Sequence, residues 1–397
     1  MNKPLFSVLL PTHNRLDLLT RAIETVRRQD FPDWEIIVSD NNSKEPVEDF
    51  VASLDDSRIK YVATEAFIPV TDNWQNALNH STGYYLIMLG DDDGLLQGYF
   101  STLANLIDKY QQPDFIYTGA LLYAYPNVIP GCPEGFLRSY LNRPIYQNGK
   151  TEFMLDRDSA KQLVIDSMNF TVQFDYNMQF SLVSRKLIEK LSPHGDFYQS
   201  PYPDYYASNV IMWFAERILV VPEPLVAVGI SPKSFGYFYF NNAESEGNKF
   251  LNNTPSEASK SRLNEVILPG PVMNTSWLLS METIAQNYSS APELRPNYQR
   301  YRLLQICAVF ADKVLEKPEA EQAYEQLKGK LSADEWNEYG GPFLKLCEET
   351  PTDQINATAQ QIMRVASSHP GVSMPKINGD FSTMLDVFEQ VKIKQSR

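Results

Sequence analysis

The chain has 397 residues, too many for one compact core and enough for two or three domains. With 43% hydrophobic and 21% charged residues it reads as an ordinary globular protein, and a formal net charge of −14 argues against nucleic acid or an anionic membrane being sought by charge alone. Cys132, Cys307 and Cys347 lie far apart and the four histidines are scattered, which excludes a disulfide framework and a zinc site and fits a reducing compartment.

The first 120 residues alternate regularly. "FSVLLP" reads as a strand, and "RLDLLTRAIETVRRQ" sets Leu18, Leu19, Ala22, Ile23 and Val26 at helical spacing. "WEIIVSD" is a second strand and "PVEDFVASL" a short helix. "IKYVAT" is a third strand, and "VTDNWQNALNHS" is a helix with Trp74, Ala77 and Leu78 on one side. "YYLIML" is a continuous apolar strand, "LQGYFSTLANLIDKY" a helix and "PDFIYTGALLY" a further strand. Apolar strands separated by helices predict βαβ units and a doubly wound, mostly parallel sheet. In such sheets a ligand sits beyond the carboxyl ends of the strands. "PTHN", "SDNN" and "GDDD" all fall at those ends.

Residues 125 to 180 read as loop. A strand and helix return with "QFSLVSRKLIEKL", then the loop "HGDFYQSPYPD", the helix "YYASNVIMWFAE" and the strand "RILVVPEPLVAVGI". The aromatic segment "SPKSFGYFYFNNAESEG" follows as a loop. Beyond about 260 the strands stop and the pattern becomes amphipathic helices, with Ser332 and Glu335 spaced as a capping box. This divides the chain into an α/β domain at 1–261 (halves 1–120 and 121–261) and a helical domain at 262–397. The helices are candidates for a homo-oligomer or partner contact. No stretch approaches the ~18 apolar residues of a membrane span. The apolar run from Leu5 to Leu10 is too short for a signal peptide. The expected location is therefore the cytoplasm, with room for peripheral membrane contact.

Asp91, Asp92 and Asp93 stand where an apolar strand leaves the sheet, between Gly90 and Gly94. An acidic run is usually a solvated face. At this position crowded carboxylates need a counter-charge, and a divalent ion with oxygen ligands, Mn2+ or Mg2+, is the natural one, shared with a substrate diphosphate.

Together "FSVLLPTHNR", "WEIIVSDNNS", "NWQNALNHSTGYYLIMLGDDD" and "PYPDYYASN" resemble the family 2 glycosyltransferases of the GT-A fold, over roughly residues 4 to 230. The resemblance implies an inverting, metal-dependent transfer from a nucleotide-diphospho-sugar, with UDP favoured, to a hydroxyl on a glycan, glycolipid or other acceptor of the cell surface. It places Pro11, Thr12, Asn14 and Arg15 beside the nucleotide sugar, Asp40 near base and ribose, Asp91 or Asp92 on the ribose, and Asp92 or Asp93 on the metal. Asn41 stands where many members carry a second acid, so its amide would read the base edge. For Asp40 the alternative is a turn cap. Asp204 opens the helix after the acceptor loop and is the candidate base, with an N-cap as its equal alternative. Asp175 and Asp196 are weaker candidates. Lys233 and the rings of Phe235, Tyr237, Phe238 and Tyr239 could close over the site and meet the diphosphate, although such rings are more often packing. Arg15 and Arg185 are phosphate partners or structural arginines. Two rival functions remain: a non-catalytic sugar-nucleotide or partner-binding protein, and, less favoured, a nucleotidyltransferase, which would carry a Gly-rich loop where this chain has "PTHNRLD".

Overall fold

Phe6–Thr12 (β1) and Trp34–Asp40 (β2) are buried along almost their whole length, and such apolar runs can only lie inside a sheet covered on both faces. β1 pairs in parallel with β2 and with Tyr85–Met88 (β4), and β2 pairs in parallel with Ile59–Ala63 (β3). The helices between them are those the spacing predicts: Leu16–Arg27 (α1), Val47–Ser53 (α2) and Val70–Asn79 (α3). α1 buries Leu18, Leu19, Ala22, Ile23 and Val26. In α3 the buried side includes Asn73, because its amide donates to the Ser39 carbonyl (3.1 Å) and accepts from the Ser39 hydroxyl (2.7 Å). The structure is a computed structural model and describes residues 3–140, 143–241, 246–247, 263–366 and 374–392.

Beyond this parallel centre the sheet is mixed. Gly94–Leu95 (β5) precedes Tyr99–Lys109 (α4) and Phe115–Ala124 (β6). The stretch expected as loop contains Phe136–Ser139 (β7), Phe153–Leu155 (β8) and Arg157–Met168 (α5). Ser181–Ser184 (β9) enters antiparallel between β4 and β6, and Ser184 caps Arg185–Leu191 (α6). Pro203–Phe214 (α7) leads to the thirteen-residue strand Ile218–Ile230 (β10), which pairs in parallel with β6 and antiparallel with β5 and β8. The aromatic segment holds a short helix, Phe235–Phe240 (α8), rather than an irregular lid; the side chain of Tyr239 lies outside the described residues.

The expected division at 261/262 also lies outside the described residues, and the chain groups differently. Met1–Val164, Gln173–Thr254 and Val372–Arg397 form one compact unit, and Ile165–Val172 with Pro255–Gly371 form the other. Strands therefore do not stop near 260. Lys376–Ile377 (β11) pairs with β7, and a last helix, Met384–Gln390, buries Met384, Val387 and Phe388 in the α/β unit. The second unit is helical. The helices Tyr298–Val314, Ala320–Lys328, Gly341–Glu349 and Ile355–Ala366 bury Ile306, Phe310, Leu327 and Ile362 against one another, and Ser332 with Glu335 forms the expected capping box. No described helix is long and apolar enough to cross a membrane.

Glu35 fastens the start of the parallel sheet. It is 4% exposed and accepts from Ser7 Oγ (2.7 Å), Thr82 N (2.5 Å), Gly83 N (3.1 Å) and Lys60 Nζ (2.6 Å). Burial pushes its pKa up, but Lys60, Ser7 and Thr82 outweigh that and hold it below the ordinary value. Its stabilisation is therefore present above the unfolded-state pKa and lost as pH falls through the lower folded one. Glu35→Gln should destabilise the protein by about 2 kcal/mol at pH 7, with the gap closing below about pH 4. Urea unfolding of both chains across this range checks it.

Candidate active site

The carboxyl ends of β1, β2 and β4 meet in one crevice, where Thr12 lies opposite Asp40 in register. β4 runs through Leu89 into a tight turn in which Asp93 N donates to Gly90 O (3.1 Å), and the chain turns back as β5 beside β10. Asp91, Asp92 and Asp93 occupy that turn and are 3%, 7% and 3% exposed, so this is not a solvated acidic face.

Each carboxylate is held differently. Asp91 accepts from Thr12 Oγ1 (2.8 Å) and from Arg15 Nη1 (2.7 Å). Asp92 accepts from Ser231 Oγ through Oδ2 (2.8 Å), while its Oδ1 lies 3.9 Å from Arg15 Nη1. Asp93 accepts through Oδ1 from Gly229 N (2.7 Å) and through Oδ2 from Gly90 N (2.8 Å) and Gln179 Nε2 (2.5 Å). Burial pushes the Asp91 carboxyl above its ordinary pKa, with Arg15 pulling the other way and Asp92 adding to the rise. Burial and the neighbouring Asp92 push Asp93 up to about 8 against its three donors. For Arg15, burial would lower the pKa, but Asp91, Asp92 and Asp93 raise it.

The counter-charge of the acidic run is therefore supplied in part by Arg15. The expected metal pair Asp92 and Asp93 meets a different geometry, because Asp93 turns both oxygens onto protein donors. Among the described residues no group of three or more His, Cys, Asp or Glu is placed to hold a metal ion. Asp92, whose Oδ1 accepts no hydrogen bond from the described residues, is the residue of the turn that would hold a hard cation.

Around the turn, Asn14 takes a left-handed conformation (φ 53°) and its side chain accepts from Lys44 N (2.7 Å). Asp40 accepts from Ser43 N (3.0 Å) and Tyr61 OH (2.9 Å), so it does serve as a turn cap. The amide of Asn41 pairs with the loop after β3, donating to Ile68 O (2.8 Å) and accepting from Ile68 N (2.9 Å) and Thr64 Oγ1 (3.2 Å); it is engaged rather than open to a base edge. Pro11 is half-buried next to Thr12. Lys233 Nζ donates to Asn14 O (2.7 Å), and Arg15 Nη2 donates to Lys233 O. The segment 231–234 is thus fastened to the loop after β1. Tyr237 packs on the apolar cluster beneath that segment. Ser231, Gln179 and Gly229 were not legible as site residues, since each meets the acidic turn only through tertiary folding.

Asp204 is not the N-cap of α7; Tyr202 is, and Pro203 comes first. The Asp204 carboxylate is half-buried and accepts from Tyr205 N (3.0 Å), and burial pushes it up to about 7. The Tyr202 ring lies 6.4 Å from that of Phe235 in α8, and α7 packs on the 3-10 turn Met178–Phe180 that carries Gln179. Asp175 is clamped by Arg143, whose Nε donates at 2.8 Å, and Asp196 is exposed. Arg185 donates to Gly83 O (2.6 Å) and Ser81 Oγ (2.9 Å), a structural role.

Residues 7–161 match the family described as glycosyl transferase family 2. A GalNAc(5)-diNAcBac-PP-undecaprenol beta-1,3-glucosyltransferase of Campylobacter jejuni is 44% identical over 103 residues, covering 25% of this chain and 33% of that protein. The chain thus spans about a third of that relative's length. The UDP-Glc:alpha-D-GlcNAc-diphosphoundecaprenol beta-1,3-glucosyltransferase WfgD of Escherichia coli is 22% identical over 245 residues, covering 53% of this chain and 94% of that protein. Among solved structures, a mannosyltransferase, PcManGT, of Pyrobaculum calidifontis in complex with GDP-Man and Mn2+ overlays 92% of this chain and 86% of its own at 14% identity, with a TM-score of 0.44.

Removing one member of a buried ion pair leaves the other uncompensated. Arg15→Gln should therefore destabilise the protein by about 3 kcal/mol at pH 7, and adding Asp91→Asn should recover most of it. Chemical denaturation of the two chains and of the starting protein gives both differences.

Proposed function

We propose, from the match of residues 7–161 to glycosyl transferase family 2, that the protein transfers a sugar from a nucleoside-diphosphate sugar to an acceptor hydroxyl in the synthesis of a cell-surface glycan. The observation that carries the reading is the buried acidic turn at the carboxyl ends of the strands, with one carboxylate oxygen, Asp92 Oδ1, accepting no hydrogen bond from the described residues. The two glucosyltransferases named above act on undecaprenol-diphosphate-linked glycans by their names, and one is named for UDP-Glc; this supports a UDP-sugar donor and a lipid-linked acceptor here. Such an acceptor fits a cytoplasmic protein in peripheral contact with a membrane.

In this reading Thr12 and Asp91 border the ribose, and Arg15, with Asp91 beside it, faces the diphosphate. Mn2+ or Mg2+ held at Asp92 would supply a Lewis acid for the departing diphosphate. Asp204 takes the proton of the acceptor hydroxyl as its oxygen bonds to the anomeric carbon. The bond from that carbon to the diphosphate oxygen breaks, and the diphosphate leaves with the electron pair, so configuration inverts. A base must be ionised to work. Its carboxyl, pushed up to about 7 by burial, makes the rate rise with pH through that value.

One observation favours a second reading. Protein donors already occupy both oxygens of Asp91 and of Asp93, as a sugar-nucleotide-binding protein without catalysis would allow. UDP release from UDP-sugars, with and without a lipid-linked acceptor, separates the two.

Two outcomes are expected. UDP should bind more tightly with Mn2+ than without it by calorimetry, and Asp92→Asn should abolish the difference; an undiminished metal effect in that variant would sink the metal role. Asp204→Asn should fold and bind UDP normally while losing about 10²- to 10⁴-fold in transfer rate. Near-normal turnover in that variant would remove Asp204 from the mechanism.

A further inference from the structure

The last described segment, 374–392, lies against the back of the acidic turn. Phe381, Met384 and Val387 are buried in a cluster with Leu96, with Leu121 to Tyr125 of β6, and with Ala227 and Ile230 of β10. Phe381 O accepts from Tyr123 OH (3.0 Å), and two residues along the same strand Tyr125 OH reaches Asp92 O (3.2 Å). The helix Met384–Gln390 is fixed at its start by a capping box of Thr383 and Asp386. On its outer side Glu389 accepts from Arg28 Nη1 of the segment after α1 (2.9 Å).

The inner contact is close. Gly94 follows Asp93 directly, and a Cβ there would fall 2.6 Å from Met384 Cγ, 2.8 Å from Met384 Sδ and 3.1 Å from Thr25 Cγ2. The thioether side chain occupies the space that any other residue at 94 would need. β5, which holds Gly94, pairs with β10, and Gly229 near the end of β10 and Ser231 just beyond it are the donors to Asp93 and Asp92. Both supports of the acidic turn therefore rest on one buried cluster.

We infer that Met384 is a positioning residue for the candidate active site: its side chain, set against Gly94, holds the acidic turn and the end of β10 at the spacing that fixes Asp92 and Asp93. The functional consequence rests on the nucleotide-sugar reading above, but the mechanical one does not. A merely apolar tail would contribute overall stability and nothing local to the turn.

Hydrogen exchange of the ligand-free full chain tells these apart. Met384→Ala should speed exchange about ten-fold at the amides of Gly90, Asp93, Leu95 and Gly229 relative to the starting protein. Met384→Leu, which keeps the volume, should restore slow exchange. Val47→Ala, in a buried position of α2, serves as a core deletion elsewhere and should leave these amides unchanged. Gly94→Ala tests the same contact from the turn without opening a cavity. It should loosen the same amides, and the Gly94→Ala/Met384→Ala pair should partly reverse that. Exchange at the turn in Met384→Ala and Gly94→Ala that matches Val47→Ala overturns the inference. UDP affinity in Mn2+ is measured on the same chains. A loosened turn with weaker UDP binding supports both readings, while a loosened turn with unchanged UDP binding upholds the positioning role and overturns the nucleotide site.

Discussion

Three ionisable carboxylates in one buried turn are what the rest of the α/β unit must accommodate. Like charges at that spacing repel one another, and burial strips them of water, so the turn is stable only where donors or cations converge on it. They converge from every direction. Arg15 comes from the end of β1, Gly90 from the turn itself, Gln179 from the 3-10 turn before β9, and Gly229 and Ser231 from the end of β10. The length of β10 and the fastening of 231–234 to the loop after β1 both follow from that requirement.

The same requirement sorts the three residues by role. Asp91 is balanced by a guanidinium, Asp93 by dipoles, and Asp92 is the one with an oxygen left over. A site of this kind does not need an incoming cation to fold. It can hold its shape before a ligand arrives, which reduces the reorganisation that binding would otherwise require. Asp204 differs in kind. It stands on the first turn of α7, where burial raises its pKa against the hydrogen bond from Tyr205 N.

The parallel centre was legible because its signal is local. Strands buried on both faces are apolar throughout, and α1 carries a full stripe of apolar residues, so periodicity alone finds them. The acidic turn was legible for the same reason, as charges in a place where charges are unusual. What escaped the sequence depends on partners far along the chain. Asn41 reads as a ligand contact and Asp40 as a ligand contact or a turn cap, and the folded chain uses both to tie loops. Gln179 and Ser231 look like any polar residues until the fold brings them to Asp93 and Asp92. The segment 125–180 hides β7 and β8 because strands of four and three residues have little periodicity, and α5 because its apolar residues do not gather into one clear stripe. The return of 376–390 was missed because a two-residue strand and a seven-residue helix are too brief to announce a change of unit.

That return bears on biosynthesis. A ribosome delivers residues 90–94 well before Met384, so the first strands of the α/β unit wait for this packing partner. At roughly 5–20 residues per second the wait is on the order of fifteen to sixty seconds. During it, the apolar faces of β6 and β10 that later receive Phe381, Met384 and Val387 stand open to chaperones and proteases. The α/β unit therefore cannot finish packing as its first strands emerge; its maturation waits for the synthesis of residues 381–388.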